Sequence, residues 1–140
     1  MRLPYYDLSS KALSGFRQIK DYLADSSLGL PIVELVYLRV SQINGCSFCL
    51  KMHAQSLRKA GETDDRIDSL AGWRVSSLYT AKERAALAWA EAVTHIEVSH
   101  ANDEYYEPLK EYFSDQEISN LTFAVSLMNA LNRVAISMRQ

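Results

Sequence analysis

The chain has 140 residues, of which 48% are hydrophobic and 23% are charged, and these values are typical of one globular domain rather than of a disordered chain. Its 15 basic residues nearly balance its 17 acidic residues, and no basic stripe is present that could neutralise a run of nucleic-acid phosphates. No apolar stretch matches the roughly 20 residues that a membrane span needs, and residues 1–10 do not resemble a secretory signal, so we expect a cytoplasmic protein.

The spacing of apolar residues predicts an all-helical domain, because long segments with three-to-four periodicity run between few glycines and prolines. Pro31 suits the first turn of a helix, and the β-branched residues that follow it leave a buried strand as the alternative. Asn44-Gly45 is a turn signal, and Gly61 is a helix C-terminal signal. The predicted helices cover residues 10–24, 31–43, 46–59, a short segment after Thr63, 81–93, 103–112 and about 115–138.

Two capping-box patterns define helix starts in the second half of the chain. Thr80 is followed three residues later by Glu83, and Ser114 is followed at the same distance by Glu117. No repeat, low-complexity tract or linker interrupts the chain. We therefore predict a single-domain helical bundle, with an N-terminal helical arm over about residues 1–28 and a core over about residues 31–133.

The predicted helix over residues 32–43 and the last helix are apolar on nearly every side. A small bundle buries only one stripe of each helix, so additional apolar faces indicate contacts between subunits and predict a homo-oligomer. An alternative of equal weight is that these two helices are the central helices of one chain's core.

The two cysteines, Cys46 and Cys49, form a CxxC motif at the predicted start of a central helix. A disulfide between them closes a loop of about four residues, which stabilises a fold little and favours redox chemistry or metal binding over a structural role. On a helix their Cα atoms lie about 5 to 6 Å apart, which a disulfide accepts. The pair can therefore cycle between dithiol and disulfide.

His53 lies four residues after Cys49, on the same face of the predicted helix. The imidazole can take the proton of Cys49, whereas the helix N-terminus favours the thiolate of Cys46. These two effects nominate different nucleophiles, and the spacing by itself does not decide between them.

Glu34 is a carboxylate in an apolar helix, and it needs a partner if it is buried. If the chain folds back at Asn44-Gly45, Glu34 lies about 16 Å before the turn and His53 about 12 Å after it, at 1.5 Å per residue. The two side chains are then level to within one helical turn. We predict a contact in which Glu34 orients the imidazole and raises its basicity.

Each of these residues also has a structural interpretation: a CxxC can be incidental, a histidine at this spacing can lie on the surface, and Glu34 can simply sit near a helix start. Their joint placement favours a functional site. His95 and His100 lie outside the cluster, and we expect them to be solvated or structural. We expect Trp73, Trp89 and most tyrosines to be core and interface residues.

The core motif of the AhpD-like alkylhydroperoxidases, in the carboxymuconolactone decarboxylase family, is similar to a set of residues in this chain: Glu34, Leu38-Arg39-Val40-Ser41, Asn44-Gly45-Cys46-Ser47-Phe48-Cys49 and His53. A weaker similarity extends from about Pro31 to Arg133. This resemblance implies an all-helical bundle assembled into trimers or hexamers, and the chain resembles a single-repeat relative of the two-repeat AhpD proteins.

By this resemblance, Cys49 corresponds to the thiol that attacks the peroxide and becomes a sulfenic acid. Cys46 corresponds to the resolving thiol and proton donor, and His53 and Glu34 to the proton relay. Characterised AhpD enzymes have a histidine where this chain has Phe48, so one proton carrier is missing. The resemblance implies a cofactor-free antioxidant peroxidase for hydrogen or alkyl hydroperoxides, re-reduced by an external dithiol such as a lipoylated or thioredoxin-like protein.

Three other functions fit parts of the pattern. A carboxymuconolactone decarboxylase-like enzyme does not need a CxxC, so the two thiols argue against it. A zinc-binding structural module could use Cys46, Cys49, His53 and Glu34, but the chain lacks a second Cys or His pair. A non-catalytic redox sensor that changes a partner contact on oxidation is not separable from slow catalysis by sequence.

Overall fold

The computed structural model describes all 140 residues, which form helices and no strands, so the predicted all-α class is confirmed. Two 3-10 segments cover Leu70–Val75 and Glu107–Glu111. The α-helices are, in chain order, α1 (Tyr5–Leu8), α2 (Ser10–Ala24), α3 (Leu30–Asn44), α4 (Ser47–Lys59), α5 (Asp64–Asp68), α6 (Ala81–Thr94), α7 (Ile96–Ser99), α8 (Asp103–Tyr106) and α9 (Asp115–Met138).

Helix α3 is the central helix of the bundle, because it packs against α2, α4, α6 and α9. Every residue from Val33 to Leu38 is buried, and so are Val40 and Ser41. The apolar faces of this helix are therefore covered within one chain. The structure therefore supports the alternative in which α3 is apolar because it is the central helix of one chain's core. The composition of α3 gives no argument for contacts between subunits.

Helix α9 is long and apolar enough to span a membrane by length and composition, although sequence reasoning did not select it. It packs against α3, α6 and α2, and its buried side chains include Leu121, Val125 and Met128. Packing in the core of the bundle accounts for the apolar residues on the buried side of this helix, whereas Phe123 is exposed.

Both predicted capping boxes are present. The backbone N–H of Glu83 donates to Thr80 Oγ1 at 3.2 Å, and the N–H of Thr80 donates to Glu83 Oε2 at 2.8 Å. Ser114 and Glu117 make the same reciprocal pair, at 3.2 and 2.8 Å. These bonds satisfy backbone donors that a helix start otherwise leaves free, which is why the sequence located both starts correctly.

Two predicted helices need correction. Cys46 is not the first residue of α4 but its N-cap, in extended backbone, and the helix begins at Ser47. Residues 103–112 do not form one helix, because the four-residue α8 is followed by a 3-10 segment. Pro108 lies at this change. It has no backbone N–H, so it cannot donate the α-helical hydrogen bond to the carbonyl of Glu104.

The two ends of the chain meet beside the cysteines. The backbone N–H of Arg2 donates to the carbonyl of Met138 at 2.7 Å, and the Tyr5 hydroxyl bonds to the Gln140 side chain. The last turns of α9 then lie over the start of α4, where Ala135 and Ile136 pack against the cysteines. Helix α9 thereby forms one wall of the site described next.

Candidate active site

The turn between α3 and α4 sets the register of the site. Gly45 adopts a φ of 69°, a left-handed conformation that glycine reaches without strain. The N–H of Cys46 then donates to the carbonyl of Ser41 at 3.1 Å, which closes the turn and reverses the chain. Helix α4 consequently runs back along α3, as the Asn44-Gly45 signal predicted.

Cys46 and Cys49 form a disulfide, with their Cα atoms 5.3 Å apart, inside the range expected for a helical CxxC. Cys46 Sγ also accepts the backbone N–H of Cys49 at 3.4 Å, so the sulfur itself caps the helix. The two residues are only 1% and 3% exposed. The bond lies at the positive end of α4, where a thiolate released by reduction is stabilised by the helix dipole.

The predicted contact between Glu34 and His53 is present. His53 Nδ1 lies 2.7 Å from Glu34 Oε2, and the imidazole is completely buried. Because a carboxylate oxygen is an acceptor, Nδ1 carries the proton and Nε2 is left as the basic nitrogen. Nε2 has no hydrogen-bond partner within the protein. The imidazole is thus held in one tautomer with Nε2 unpartnered, one helical turn after Cys49.

Tyr37 belongs to the same cluster, and sequence reasoning did not assign it there. Its ring centroid lies 5.1 Å from that of His53, and its buried hydroxyl has no partner. Burial, and then the charge of Glu34, raise the pKa of Tyr37 above its ordinary value, so the phenol stays neutral. Its position three residues after Glu34, on the same helical face, was the signal that could have revealed it.

A row of asparagines ties the turn to α9. Asn44 Nδ2 donates to Asn129 Oδ1 and to Asn132 Oδ1, both at 3.0 Å. Asn132 is fully buried, and its Nδ2 donates to Ser41 Oγ at 3.1 Å. These bonds hold the residues just before Cys46 against α9. Two asparagines three residues apart, Asn129 and Asn132, were the sequence signal for this network, because that spacing places them on one face of α9.

The other suspected residues lie elsewhere. His95 and His100 are exposed, and Trp73 and Trp89 are buried, so these four expectations are confirmed. Not every tyrosine lies in the interior, because Tyr22 is 58% exposed.

Glu91 forms a structural ion cluster apart from the cysteines. It accepts hydrogen bonds from Trp73 Nε1 at 2.7 Å, from Arg74 Nη2 at 2.7 Å and from Arg39 Nε at 2.8 Å. Burial opposes ionisation of this carboxyl, but the three donors outweigh it and keep the pKa of Glu91 below its ordinary value. The cluster joins α3, α6 and the 3-10 segment after α5.

Two openings lie at opposite ends of the row of Cys46, Cys49, His53 and Glu34. A crevice of about 120 Å³ is lined by Cys46 and Phe48 together with Ile136 and Arg139 of the chain's C-terminal end. A larger cavity of about 500 Å³ lies against Glu34, between the start of α3 and the end of α4. Cys46 thus lines the crevice, and Glu34 lines the cavity.

The four candidate residues do not form a metal-binding arrangement in this structure, in which the two sulfurs are bonded to each other. No three Cys, His, Asp or Glu side chains surround a common point as ligands of one ion would. Both sulfurs of a structural zinc site would have to be reduced and deprotonated before they could bind.

Fold and site together define a class: an all-helical protein with a CxxC pair at the start of a buried helix and a carboxylate-bound histidine one turn further on. Within that class, the chain belongs to the carboxymuconolactone decarboxylase family, whose model matches residues 10–92, and it is an AhpD-like member. The resemblance drawn from the motif of Glu34, the CxxC and His53 is confirmed.

Two relatives cover nearly the whole chain. The uncharacterized protein YdfG of Bacillus subtilis is 34% identical over 137 residues, which are 98% of this chain and 93% of YdfG. A crystal structure from Agrobacterium tumefaciens, of a protein of unknown function provisionally assigned as the antioxidant defence protein AhpD, is 37% identical. It superposes with a TM-score of 0.95 over 99% of this chain and 95% of its own.

Two further matches cover only part of the matched protein. An uncharacterized peroxidase-related protein from Silicibacter sp. TM1040 has the same fold, with a TM-score of 0.82 at 24% identity over 94% of this chain and 70% of its own. The uncharacterized protein YnjA of Escherichia coli is 30% identical over 100 residues, which are 71% of this chain and 54% of YnjA.

Proposed function

We propose that this protein is a cofactor-free thiol peroxidase that reduces hydrogen peroxide or alkyl hydroperoxides through the Cys46–Cys49 pair. The observation that carries the proposal is a buried disulfide on the same helix as His53, whose imidazole is held by Glu34 at 2.7 Å. A purely structural CxxC needs no oriented base beside it. The role is antioxidant defence, as the name of the Agrobacterium tumefaciens relative suggests for that protein.

The oxidative half of the reaction begins with proton transfer from the Cys49 thiol to His53 Nε2. The Cys49 thiolate attacks the distal oxygen of the hydroperoxide, the O–O bond breaks, and the alkoxide leaves as an alcohol, or as water, after taking up a proton. Cys49 is now a sulfenic acid. The Cys46 thiolate attacks its sulfur, the S–O bond breaks, and water leaves as the disulfide forms.

The reductive half of the reaction begins at the crevice beside Cys46. Cys46 lines the crevice and Cys49 does not, so in this proposal a thiolate of an external dithiol attacks Cys46 and forms a mixed disulfide with it. The bond to Cys49 breaks, and Cys49 leaves as a thiolate one turn before His53. The second thiol of the reductant then releases Cys46 and closes the reductant's own disulfide. A lipoylated or thioredoxin-like protein supplies such a dithiol.

Phe48 is the point at which this site departs from the AhpD pattern. Its side chain is 42% exposed and lines the crevice, where a histidine could otherwise carry a proton to the leaving oxygen. The chain therefore relies on Cys46, the resolving thiol, or on water to protonate that oxygen. We expect slower turnover than in a homologue with histidine at this position.

The assignment of roles to the two thiols is tested by trapping. Cys46→Ser and Cys49→Ser proteins are treated with one equivalent of hydrogen peroxide and a dimedone reagent, and the adduct is located by mass spectrometry. We expect rapid labelling of Cys49 in the Cys46→Ser protein, and labelling of Cys46 in the other variant no faster than that of an ordinary thiol.

The opposite pattern would mean that the N-cap position activates Cys46 more strongly than His53 activates Cys49, and the two roles would be exchanged. If neither variant reacts faster than a free thiol, the peroxidase proposal is wrong. The wild-type protein provides an independent measure, because its two free thiols should fall to none after one equivalent of peroxide.

The proposal includes a cytoplasmic homo-oligomer, a trimer or hexamer. Support within this chain comes from an apolar surface between α2 and α9, where Tyr22 and Phe123 are 58% and 59% exposed. Light scattering at micromolar concentration tests it. A measured mass of 15.8 kDa, the mass of one chain, would contradict the predicted oligomer but would not contradict the proposed peroxidase reaction.

A further inference from the structure

We infer that Arg139 and Gln140, which follow α9, form a strap that gates the access of a reducing dithiol to Cys46, and that Tyr5 holds this strap in place. The inference rests on the proposed function only in that an external dithiol reduces the Cys46–Cys49 bond. Its tests start from the oxidised protein and use no peroxide, so the strap and the peroxidase reaction can fail separately.

The strap lines the same narrow crevice as Cys46. The other lining residues are 45–48, at the start of α4, and Ala135 and Ile136 of α9. The crevice volume of about 120 Å³ corresponds to about four water molecules at 30 Å³ each, and Cys46 is only 1% exposed. A thiol on a folded protein brings its own backbone with it, for which this space is too small. Because disulfide exchange requires access to the attacked sulfur, the crevice has to widen before such a thiolate reaches Cys46.

The backbone of the strap is strained. Arg139 has a φ of 55°, in the left-handed region that is unfavourable for residues other than glycine. This conformation turns the chain so that the N–H of Gln140 donates to the carbonyl of Ala135 at 3.0 Å, a helix-ending bond for which glycine is the usual residue. With arginine at this position, the closed strap depends on contacts from outside α9.

The contacts that hold the strap come from the N-terminal residues. The Tyr5 hydroxyl bonds to the Gln140 side chain, and the Tyr5 ring is itself buried. The backbone N–H of Arg2 donates to the carbonyl of Met138 at 2.7 Å, immediately before the strap. The strap itself is therefore fixed from outside α9 by one side-chain bond. Backbone strain combined with a single tether suits a gate, because little free energy is needed to open it.

Opening of the strap comes before the chemical step. The thiolate of the reductant then attacks Cys46 Sγ, a new S–S bond forms, and the bond to Cys49 breaks with its electron pair on Cys49 Sγ. The second thiol of the reductant releases Cys46 and closes the reductant's own disulfide. The rate is the fraction of molecules with an open strap multiplied by the rate of exchange in those molecules. A change that opens the strap more often therefore raises the rate in proportion.

The first test compares Tyr5→Phe with Tyr22→Phe in the reduction of the oxidised protein by dithiothreitol. Each substitution removes a hydroxyl that bonds to an amide side chain, and the partner of Tyr22 is Asn120, which does not line the crevice. Tyr5→Phe should raise the second-order rate about two- to tenfold, the range expected for loss of one neutral hydrogen bond. Tyr22→Phe should leave the rate unchanged. Free thiols are counted by mass spectrometry after alkylation.

Hydrogen exchange at the Gln140 amide reports the opening of the strap directly. In the oxidised Tyr5→Phe protein this exchange should accelerate by the same factor as the reduction, because both require the open strap. In the Tyr22→Phe protein it should stay at the wild-type rate.

The second test uses the strain at residue 139. Arg139→Ala and Arg139→Gly both remove the guanidinium group from the crevice, but only glycine adopts the left-handed backbone without strain. The glycine variant should be reduced about two- to fivefold more slowly than the alanine variant, because the strain that glycine avoids exceeds the chain freedom that it loses. The equilibrium of each variant with dithiothreitol should be the same, since a gate changes rates alone.

Faster exchange at Gln140 without faster reduction in the Tyr5→Phe protein would overturn the inference, because the strap would then open without controlling access to Cys46. Unchanged exchange would overturn it too, since Tyr5 would not hold the strap. A shift of the reduction equilibrium as large as the change in rate would mean that the strap stabilises the disulfide instead of gating it. Equal reduction rates in the two Arg139 variants would also contradict the gate, and this pair decides the question if Tyr5→Phe does not fold.

Discussion

A Glu34→Gln substitution is the most direct measure of what the buried carboxylate does. The amide is nearly the same size as the carboxylate, and its oxygen can still accept the hydrogen bond from His53 Nδ1 now made at 2.7 Å. The substitution therefore keeps the orientation of the imidazole and removes the negative charge beside it. Its effect isolates the electrostatic part of the contact.

The magnitude follows from the strengths of the two kinds of bond. Hydrogen bonds to charged groups contribute about 1.5 to 3 kcal/mol and neutral ones about 0.5 to 1.5, a difference of about 1 to 1.5 kcal/mol. Since about 1.4 kcal/mol corresponds to tenfold in rate, we expect Cys49 to react with peroxide about tenfold more slowly in the Glu34→Gln protein. A His53→Ala substitution removes the base itself and should slow the reaction by about 10² to 10⁴.

The assay is the second-order rate of sulfenic acid formation in the Cys46→Ser background, followed by stopped flow. Thermal unfolding of each variant controls for folding. Glu34→Gln should have no further effect once His53→Ala is present, because a positioning residue acts only through its neighbour.

Two results would refute this reasoning. If Glu34→Gln slows the reaction as much as His53→Ala does, Glu34 acts directly on the substrate or on the thiol. An effect of Glu34→Gln that is undiminished in the His53→Ala protein would mean that the two residues work independently.

Other predictions concern stability and metal content. Tyr37→Phe removes a buried hydroxyl that has no partner, so the free energy of unfolding measured in urea should rise by about 1 kcal/mol, whereas a fall would reveal a hidden partner. Glu91→Gln replaces the charged acceptor of three donors and should lower the free energy of unfolding by about 1 to 3 kcal/mol at pH 7. Because the pKa of Glu91 is lowered in the folded protein, its contribution is present above the unfolded value of about 4.3 and is lost as the pH falls through the folded value, so the difference between variant and wild type should shrink in acid. The purified protein should contain no stoichiometric zinc by elemental analysis, and one zinc per chain that is lost in Cys46→Ala would favour the structural module instead.

Much of the fold and of the site could be predicted because local sequence governs it. Capping at Thr80 and Ser114 depends on residues three positions away, so both helix starts follow from adjacent chemistry. The contact of Glu34 with His53 was also predictable, because a tight turn between two helices forces them antiparallel and equal distances from the turn then meet. The same turn brings the two cysteines to the start of α4.

Pro108 is the reason that residues 103–112 do not form the single predicted helix. The apolar pattern over residues 103–112 suggested one helix, but the missing N–H of proline changes the hydrogen bonding after Tyr106. Cys46 was similarly placed inside a helix that it caps, since periodicity does not distinguish the cap from the first helical residue.

By itself, the sequence determined the helices with strong end signals, the pairing of α3 with α4 and the positions of four candidate residues along that hairpin. Only the tertiary structure decided that α3 is the covered centre of a single chain, that Asn44 bonds across 88 residues to Asn132, and that Tyr37 leaves its hydroxyl unpaired against His53. It also decided that a cavity reaches Glu34 while a separate crevice reaches Cys46. The physical reason is that turns and caps are formed by neighbours in the chain. Burial, cavities and unpaired polar atoms depend instead on how closely helices distant in sequence approach one another.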